Sequence, residues 1–203
     1  MPNFLKKQTK KYSIKTSVTS HKSSLKGLLF LIGALISSPA FAVDGMMLNY
    51  GVGMSDALIQ YKDITGAKQK SIGVFWNTDT TFQHGLLGYS ELEFEAYAAE
   101  ISKDQTMNLV AVRPILNFWE SSSKARSWYW QFGIGLSYFD SKRLDPIEFS
   151  SNAQFATIFG LGFVLDDARK HRLTMRYNHY SNGYLSTPNQ GLDTFTLDWH
   201  IGF

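Results

Sequence analysis

Three polar residues in the last quarter of the chain have the types needed for nucleophilic catalysis. His179 and Ser181 stand two positions apart, and Asp193 follows after a turn-rich segment. A serine hydroxyl becomes a nucleophile when a base lies within hydrogen-bond reach, and that base needs an acceptor to orient it. These residue types therefore predict acyl transfer through a serine, provided that the fold brings them together.

Alternating segments indicate the elements that must position these residues. In 127–139 the large side chains occupy the even positions from Trp128 to Tyr138, and small or polar residues such as Gly133 lie between them. A period of two is typical of β-strands and not of helices, so the chain is predicted to be all-β. Similar alternation recurs in 70–77, 86–98, 107–118 and 153–165.

Two β architectures produce this pattern. A soluble sandwich buries its apolar face, whereas a membrane barrel turns that face toward lipid and keeps polar side chains inside. The apolar faces are rich in Trp, Tyr and Phe near the strand ends, as an aromatic girdle requires, and the opposite faces carry Gly, Ala and Ser, which suit a narrow, filled lumen. The last segment also alternates and finishes at Phe203. These features favour the barrel.

The prediction is an eight-stranded antiparallel transmembrane β-barrel. Because eight is even, both of its ends lie on the periplasmic side. Its connections then divide into a short periplasmic turn at 166–170 and longer outer loops at 140–151 and 182–190. The predicted strands are 46–62, 68–77, 86–98, 106–119, 127–139, 152–165, 170–181 and 191–203.

Residues 1–42 have the layout of a secretory signal peptide. Seven lysines and no acidic residue precede or flank an apolar run at 27–36, and Ala40 and Ala42 fit a signal-peptidase site before Val43. The apolar run is much shorter than the roughly 20 residues of a spanning helix. We therefore expect residues 43–203 to form the mature barrel in the outer membrane.

Charge and cysteine content argue against several other functions. With seven of the 20 basic residues in the leader, residues 43–203 carry 13 basic and 17 acidic residues, so nucleic-acid binding is not expected. The absence of cysteine excludes a disulfide framework, a thiolate zinc site and a cysteine nucleophile. The histidines show no metal-ligand spacing, and no cofactor is predicted. The acidic face at 91–95 is expected to form ion pairs in the lumen with Arg113, Arg172 and Arg176.

Side-chain parity predicts that the three polar residues share one face. In 170–181 the odd positions carry the apolar residues, and His179 and Ser181 continue that row, while Asp193 heads the odd row of the last strand. The three side chains should then project outward from adjacent strands at the outer end. Polar groups are costly there, which makes them candidates for function. They could also merely end two strands at the headgroup level.

The sequence His-Tyr-Ser-Asn-Gly at 179–183, followed by Pro-Asn-Gln-Gly-Leu-Asp at 188–193, resembles the signature of the lipid A 3-O-deacylase (PagL) family. This resemblance implies an eight-stranded outer-membrane barrel with a His-Ser-Glu triad on the outer surface of its last two strands. His179 would be the base, Ser181 the nucleophile and Asn182 a contributor to the oxyanion hole. The acid falls on Asp193, one methylene shorter than the usual glutamate.

The predicted function is an outer-membrane serine esterase that removes an ester-linked 3-O acyl chain from lipid A of lipopolysaccharide. Two other functions stay open. One is a non-catalytic outer-membrane barrel of structural or adhesin-like type, in which the triad geometry has been lost. The other is a phospholipase-like acyl hydrolase that uses the same nucleophile on a different lipid.

Overall fold

A computed structural model describes residues 43–55, 63–85, 88–120 and 126–203. The predicted signal peptide at 1–42 lies outside these described residues. Within the described part of the chain, no helix is long and apolar enough to cross a membrane.

The described residues form ten β-strands, eight of which close into one antiparallel barrel. The strands are β1 (Gly45–Gly53), β2 (Lys68–Gln83), β3 (Tyr89–Ser102), β4 (Thr106–Trp119), β5 (Trp128–Phe139), β6 (Arg143–Leu144), β7 (Ile147–Glu148), β8 (Ala153–Val164), β9 (His171–Ser181) and β10 (Leu192–Gly202). The barrel order is β1-β10-β9-β8-β5-β4-β3-β2, and β6 pairs only with β7. The predicted eight-stranded barrel is confirmed.

Strand register places the two ends of the barrel. Gly45 at the start of β1 is paired with Gly202 at the end of β10, so the first and last strands begin and end on the same side. The connections after β1, β3, β5 and β9 therefore lie at the opposite end, which the sequence predicts to be the outer one. The hairpin of β6 and β7 belongs to this outer end, inside the segment predicted as a loop at 140–151.

Several predicted strand ends are wrong. The first strand ends at Gly53 and not at 62, although 56–62 lie outside the described residues. The second continues to Gln83 because a bulge between Asn77 and Thr81 absorbs a polar run that reads as a turn in the sequence. The third continues to Ser102, beyond the predicted end at 98, where small residues blur the alternation.

The outer wall is apolar and exposed, as the lipid-facing surface of a transmembrane barrel requires. On β5, Trp128 and Leu136 are 60% and 61% exposed, whereas the neighbouring Tyr129 is 2% exposed. On β10, Phe195, Leu197 and Trp199 are exposed in the same way. The alternation seen in the sequence thus corresponds to lipid-facing and lumen-facing rows.

The lumen is filled by a network of charged side chains. Glu95 accepts hydrogen bonds from Arg113 and Arg176, and Arg176 also lies 2.9 Å from Asp198. Arg172 lies 2.7 Å from Glu93. These ion pairs match the predicted partnership between the acidic face and the three arginines. Because buried charges need such partners, these ion pairs connect the strands from inside the barrel.

Candidate active site

Strand register brings the predicted acid and base together. Asp193 on β10 is the direct cross-strand partner of His179 on β9. Ser181 is the last residue of β9 and lies two positions beyond His179, which puts the two side chains on the same outward row. All three residues therefore meet near the outer end of the barrel, as the parity of the two strands predicts.

The side chains of these residues form one continuous chain of hydrogen bonds. His179 Nδ1 lies 2.6 Å from Asp193 Oδ1, and His179 Nε2 lies 2.9 Å from Ser181 Oγ. With Nδ1 donating to the carboxylate, Nε2 is left to accept from the hydroxyl. The geometry is that of a nucleophile, a base and an acid in sequence.

The three hydrogen-bonded side chains are buried to different extents. Asp193 is fully buried although it stands on the lipid-facing row, whereas the His179 side chain keeps 16% of its surface exposed. The carboxylate is thus shielded, while the imidazole and the serine remain open to a molecule that arrives from the lipid side. A shielded acid makes its hydrogen bond to the imidazole stronger than it would be in water.

Lumen contacts hold the backbone from which the three side chains project. Asn178, between Tyr177 and His179, donates to Thr196 Oγ1 at 3.1 Å and accepts from Arg113 at 3.3 Å. Thr194, next to Asp193, donates to Gln69 at 2.8 Å. Inward-pointing residues therefore fix β9 and β10 to the rest of the barrel, so that the outward residues are positioned by strands and not by loops.

A fourth side chain contacts the acid. The hydroxyl of Tyr177 donates to Asp193 Oδ1 at 2.6 Å, so the same carboxylate oxygen accepts from both Tyr177 and His179. The sequence predicts Tyr177 only as a lipid-facing member of the odd row. Its position two residues before the base was the available signal, but the direction of its hydroxyl depends on the strand pairing.

Asn182 occupies a different position from the other predicted site residues. It is buried, and its side-chain amide donates to Ser150 Oγ and to the Ser186 carbonyl, both at 2.8 Å. Its backbone N–H donates to Asn189 Oδ1 at 3.1 Å. Asn182 thus follows Ser181 directly, but its backbone N–H and its side-chain amide both donate to residues of the outer loops.

The two outer loops on this side of the barrel are joined to each other. The Ser150 N–H donates to the Pro188 carbonyl at 2.8 Å, and the Glu148 N–H donates to Gln190 Oε1 at 2.7 Å. The hairpin after β5 therefore packs against the loop that follows Ser181. The alternation of the sequence does not predict this contact, because it joins segments that are far apart in the chain.

Apolar residues surround the open side of the site. Phe155 on β8 is the cross-strand partner of Ser181, and Gly183 lies against its ring. Tyr184 and Leu185, at the tip of the loop after β9, are 59% and 80% exposed. The Ser181 hydroxyl is thus set into an apolar surface, which suits a lipid ester better than a water-soluble substrate.

Three possible metal ligands meet in the lumen rather than at this site. Within the described residues, ligand atoms of Glu93, Glu95 and His200 lie within 4.8 Å of one another. Arg176 donates to Glu95 and its Nη2 lies 3.1 Å from His200 Nε2, so a guanidinium already supplies the positive charge. This donor set therefore fits an ion-pair network and not a bound cation.

Comparison of the sequence with known proteins finds a family match. Residues 70–201 match a family model described as lipid A 3-O-deacylase (PagL). The chain is 32% identical over 90 residues to the lipid A deacylase PagL of Bordetella bronchiseptica, and the alignment covers 44% of this chain. It covers 47% of that protein, so the chain spans about half the length of the curated relative that it matches.

A solved structure is similar in fold. It is described as the crystal structure of the outer membrane enzyme PagL, and it superposes with a TM-score of 0.66 over 78% of this chain and 99% of that one. At 18% sequence identity, this likeness concerns the barrel fold.

Proposed function

The chain belongs to the lipid A 3-O-deacylase (PagL) family, and we propose that it is an outer-membrane serine esterase that removes an ester-linked 3-O acyl chain from lipid A of lipopolysaccharide. One observation carries this proposal: the hydrogen-bonded series Asp193–His179–Ser181 lies on the lipid-facing side of the barrel. Polar side chains that face lipid are energetically costly, so their presence there indicates a function.

In the proposed reaction, Ser181 is the nucleophile and His179 is the general base. As Ser181 Oγ attacks the ester carbonyl, its proton passes to His179 Nε2, 2.9 Å away. The imidazole becomes positively charged, and Asp193 stabilises that charge through the hydrogen bond to Nδ1. The attack gives a tetrahedral intermediate with a negative charge on the former carbonyl oxygen.

We assign the stabilisation of that oxyanion to the side-chain amide of Asn182. Asn182 directly follows the proposed nucleophile, and its side-chain N–H groups can donate hydrogen bonds to an oxyanion. In the structure this amide donates to Ser150 and Ser186. The proposal therefore requires the amide to turn toward the substrate when the ester is bound.

The remaining steps return the enzyme to its starting state. His179 donates its proton to the sugar 3-oxygen, which leaves as a hydroxyl while the acyl group stays on Ser181. A water molecule gives a proton to His179 as it attacks the acyl-enzyme, and His179 then returns that proton to Ser181 Oγ as the acyl–serine bond breaks and the fatty acid leaves. The steps use only side chains of the protein and water, so no metal or cofactor is required.

Lateral access explains why such a site would lie outside the barrel. Lipid A in the outer leaflet keeps its acyl chains in the bilayer and its sugars at the surface. Ser181 stands at the outer end of β9, and the wall below it carries exposed apolar residues such as Phe159 and Met175. The acyl chain can lie along this wall while the ester reaches Ser181, without the substrate leaving the membrane.

Mass spectra of lipid A test this function. Lipid A is extracted from cells that produce the protein and from matched cells that produce the Ser181→Ala variant. Loss of one ester-linked hydroxyacyl chain only in the presence of the wild-type protein is the expected result. An unchanged lipid A spectrum would support a non-catalytic barrel, and loss of phospholipid acyl chains alone would support a phospholipase-like enzyme.

A further inference from the structure

Tyr177 contacts the acid of the proposed triad from the side opposite to the nucleophile. It stands two residues before His179 on the same outward row of β9, and its hydroxyl donates to Asp193 Oδ1 at 2.6 Å. His179 Nδ1 lies at the same distance from the same oxygen. The carboxylate oxygen is therefore held between two donors.

The strand pairing explains how Tyr177 reaches the acid. Its direct partner on β10 is Phe195, so the ring extends diagonally to the next outward residue, Asp193. Diagonal neighbours in an antiparallel pair lie about 7–8 Å apart, within reach of an aromatic side chain. On its other side, Tyr177 is paired with Phe159 of β8. The ring is half-buried between neighbouring strands, which limits the directions its hydroxyl can take.

A second donor answers a specific difficulty of this site. Asp193 is fully buried on the lipid-facing row, where a carboxylate loses the hydration that stabilises its charge. Charge-assisted hydrogen bonds compensate for that loss and also fix the direction of the acceptor. A phenol keeps its proton at neutral pH, so it can act here as a permanent donor.

We propose that Tyr177 is a positioning residue, which holds the Asp193 carboxylate in line with His179 Nδ1 and so keeps Nε2 free to accept the proton of Ser181. Tyr177 acts through Asp193 and does not need to touch the substrate. This inference rests on the proposed esterase function and adds a fourth member to its hydrogen-bond series.

The role predicts a particular kinetic defect in a Tyr177→Phe variant, which loses only the hydroxyl. An Asp193 carboxylate that is less well oriented should lower kcat by about 10-fold, with KM within about twofold of wild type, because substrate binding does not involve the acid. With one donor removed, more negative charge stays on the Asp193 carboxylate, and this charge favours the protonated form of the nearby imidazole even when the hydrogen bond is less well aligned. The acid limb of the pH–rate profile should therefore move to higher pH.

The experiment compares purified, folded variants in detergent with lipid A as the substrate, and measures initial rates of acyl release over a range of pH. Tyr138→Phe is the matched control, since it removes a phenolic oxygen from the outer wall on β5, away from the triad. A wild-type kcat for Tyr177→Phe would overturn the proposal. A lower kcat with an unchanged pH profile would also overturn it, because a purely structural effect gives that result.

A double-mutant cycle adds an independent readout. If Tyr177 acts through the acid, Tyr177→Phe should have little further effect once Asp193 is replaced by Asn, whereas independent effects would multiply. Wild-type and Ser181→Ala proteins are assayed in parallel. An inactive wild type or an active Ser181→Ala variant would refute the proposed function itself. If these two controls behave as expected and the rate losses of Tyr177→Phe and Asp193→Asn multiply, only the role of Tyr177 is refuted.

Discussion

The side-chain amide of Asn182 donates a hydrogen bond of 2.8 Å to Ser150 Oγ, which links the residue after the proposed nucleophile to the loop that follows β5. The Ser186 hydroxyl lies 2.5 Å from the same Ser150 oxygen. Ser150 therefore contacts both Asn182 and Ser186 in the loop that follows β9. Asn182 could therefore have two roles: its amide could hold the two outer loops together, and it could stabilise the oxyanion.

Comparison of Ser150→Ala with Asn182→Ala distinguishes these roles. Ser150→Ala removes the hydrogen bonds of Ser150 Oγ to Asn182 and Ser186 but keeps the Asn182 amide, and should lower the deacylation rate by about 2- to 10-fold. Asn182→Ala removes the contact between the loops and the proposed oxyanion donor together, and should cost about 10²–10³-fold. Initial rates of folded variants provide the measurement. Equal, small losses in both variants would leave Asn182 only the role of holding the loops together.

Replacement of Asp193 tests the acid. Asp193→Asn should lower activity at neutral pH by up to about 10⁴-fold, since an amide cannot stabilise the charged imidazole. Asp193→Glu keeps the charge and serves as the matched control, which should retain activity or raise it. If Asp193 only ended the turn after Gly191, asparagine would be equally suitable there and the change would be silent. Near-wild-type turnover of Asp193→Asn would leave at most a His179–Ser181 dyad.

Cysteine labelling tests the orientation of β10. The chain has no cysteine of its own, so single cysteines can be introduced without background. Phe195→Cys and Leu197→Cys should react with lipid-soluble probes, because both positions are exposed on the outer wall. Thr196→Cys, in the lumen, should stay unlabelled in the folded barrel. The reverse labelling pattern would place the triad inside the barrel and remove the proposed access from the bilayer.

The sequence predicts the barrel and the shared face of the three triad residues because both depend on a period of two. Once β9 and β10 are antiparallel neighbours, parity alone places His179, Ser181 and Asp193 on the outside. Their hydrogen bonds also require the register that sets Asp193 opposite His179. The two strands follow each other in the chain and are joined by residues 182–191, so that register involves neighbouring segments of the sequence.

Other features of the site depend on contacts that alternation does not encode. The hydroxyl of Tyr177 reaches Asp193 along a diagonal, so its parity correctly predicts its face but not its partner. The position of Asn182 depends on the docking of the loop that carries Ser150, 32 residues away in the chain. The end of β2 at Gln83 depends on a bulge, which disguises a strand as a turn.

Arg176 is expected to be essential for stability. Its guanidinium contacts Glu95 and Asp198, both fully buried, so Arg176→Met would leave two carboxylates in the lumen without this partner. Removing one partner of a buried ion pair destabilises a protein by about 3–5 kcal/mol. Denaturant unfolding in detergent should show a lower midpoint for this variant. Unfolding of the Arg176→Met variant at the wild-type midpoint would show that the lumen network contributes little.

The most direct test of the proposed reaction is deacylation of lipid A by purified Ser181→Ala protein. Ser141→Ala, which removes a hydroxyl from the outer loop after β5, is the matched control. Folding of each barrel is checked by its shift in gel mobility on heating. We predict that Ser141→Ala releases the 3-O acyl chain at the wild-type rate and that folded Ser181→Ala releases none above background. Wild-type release by folded Ser181→Ala would contradict the proposed mechanism.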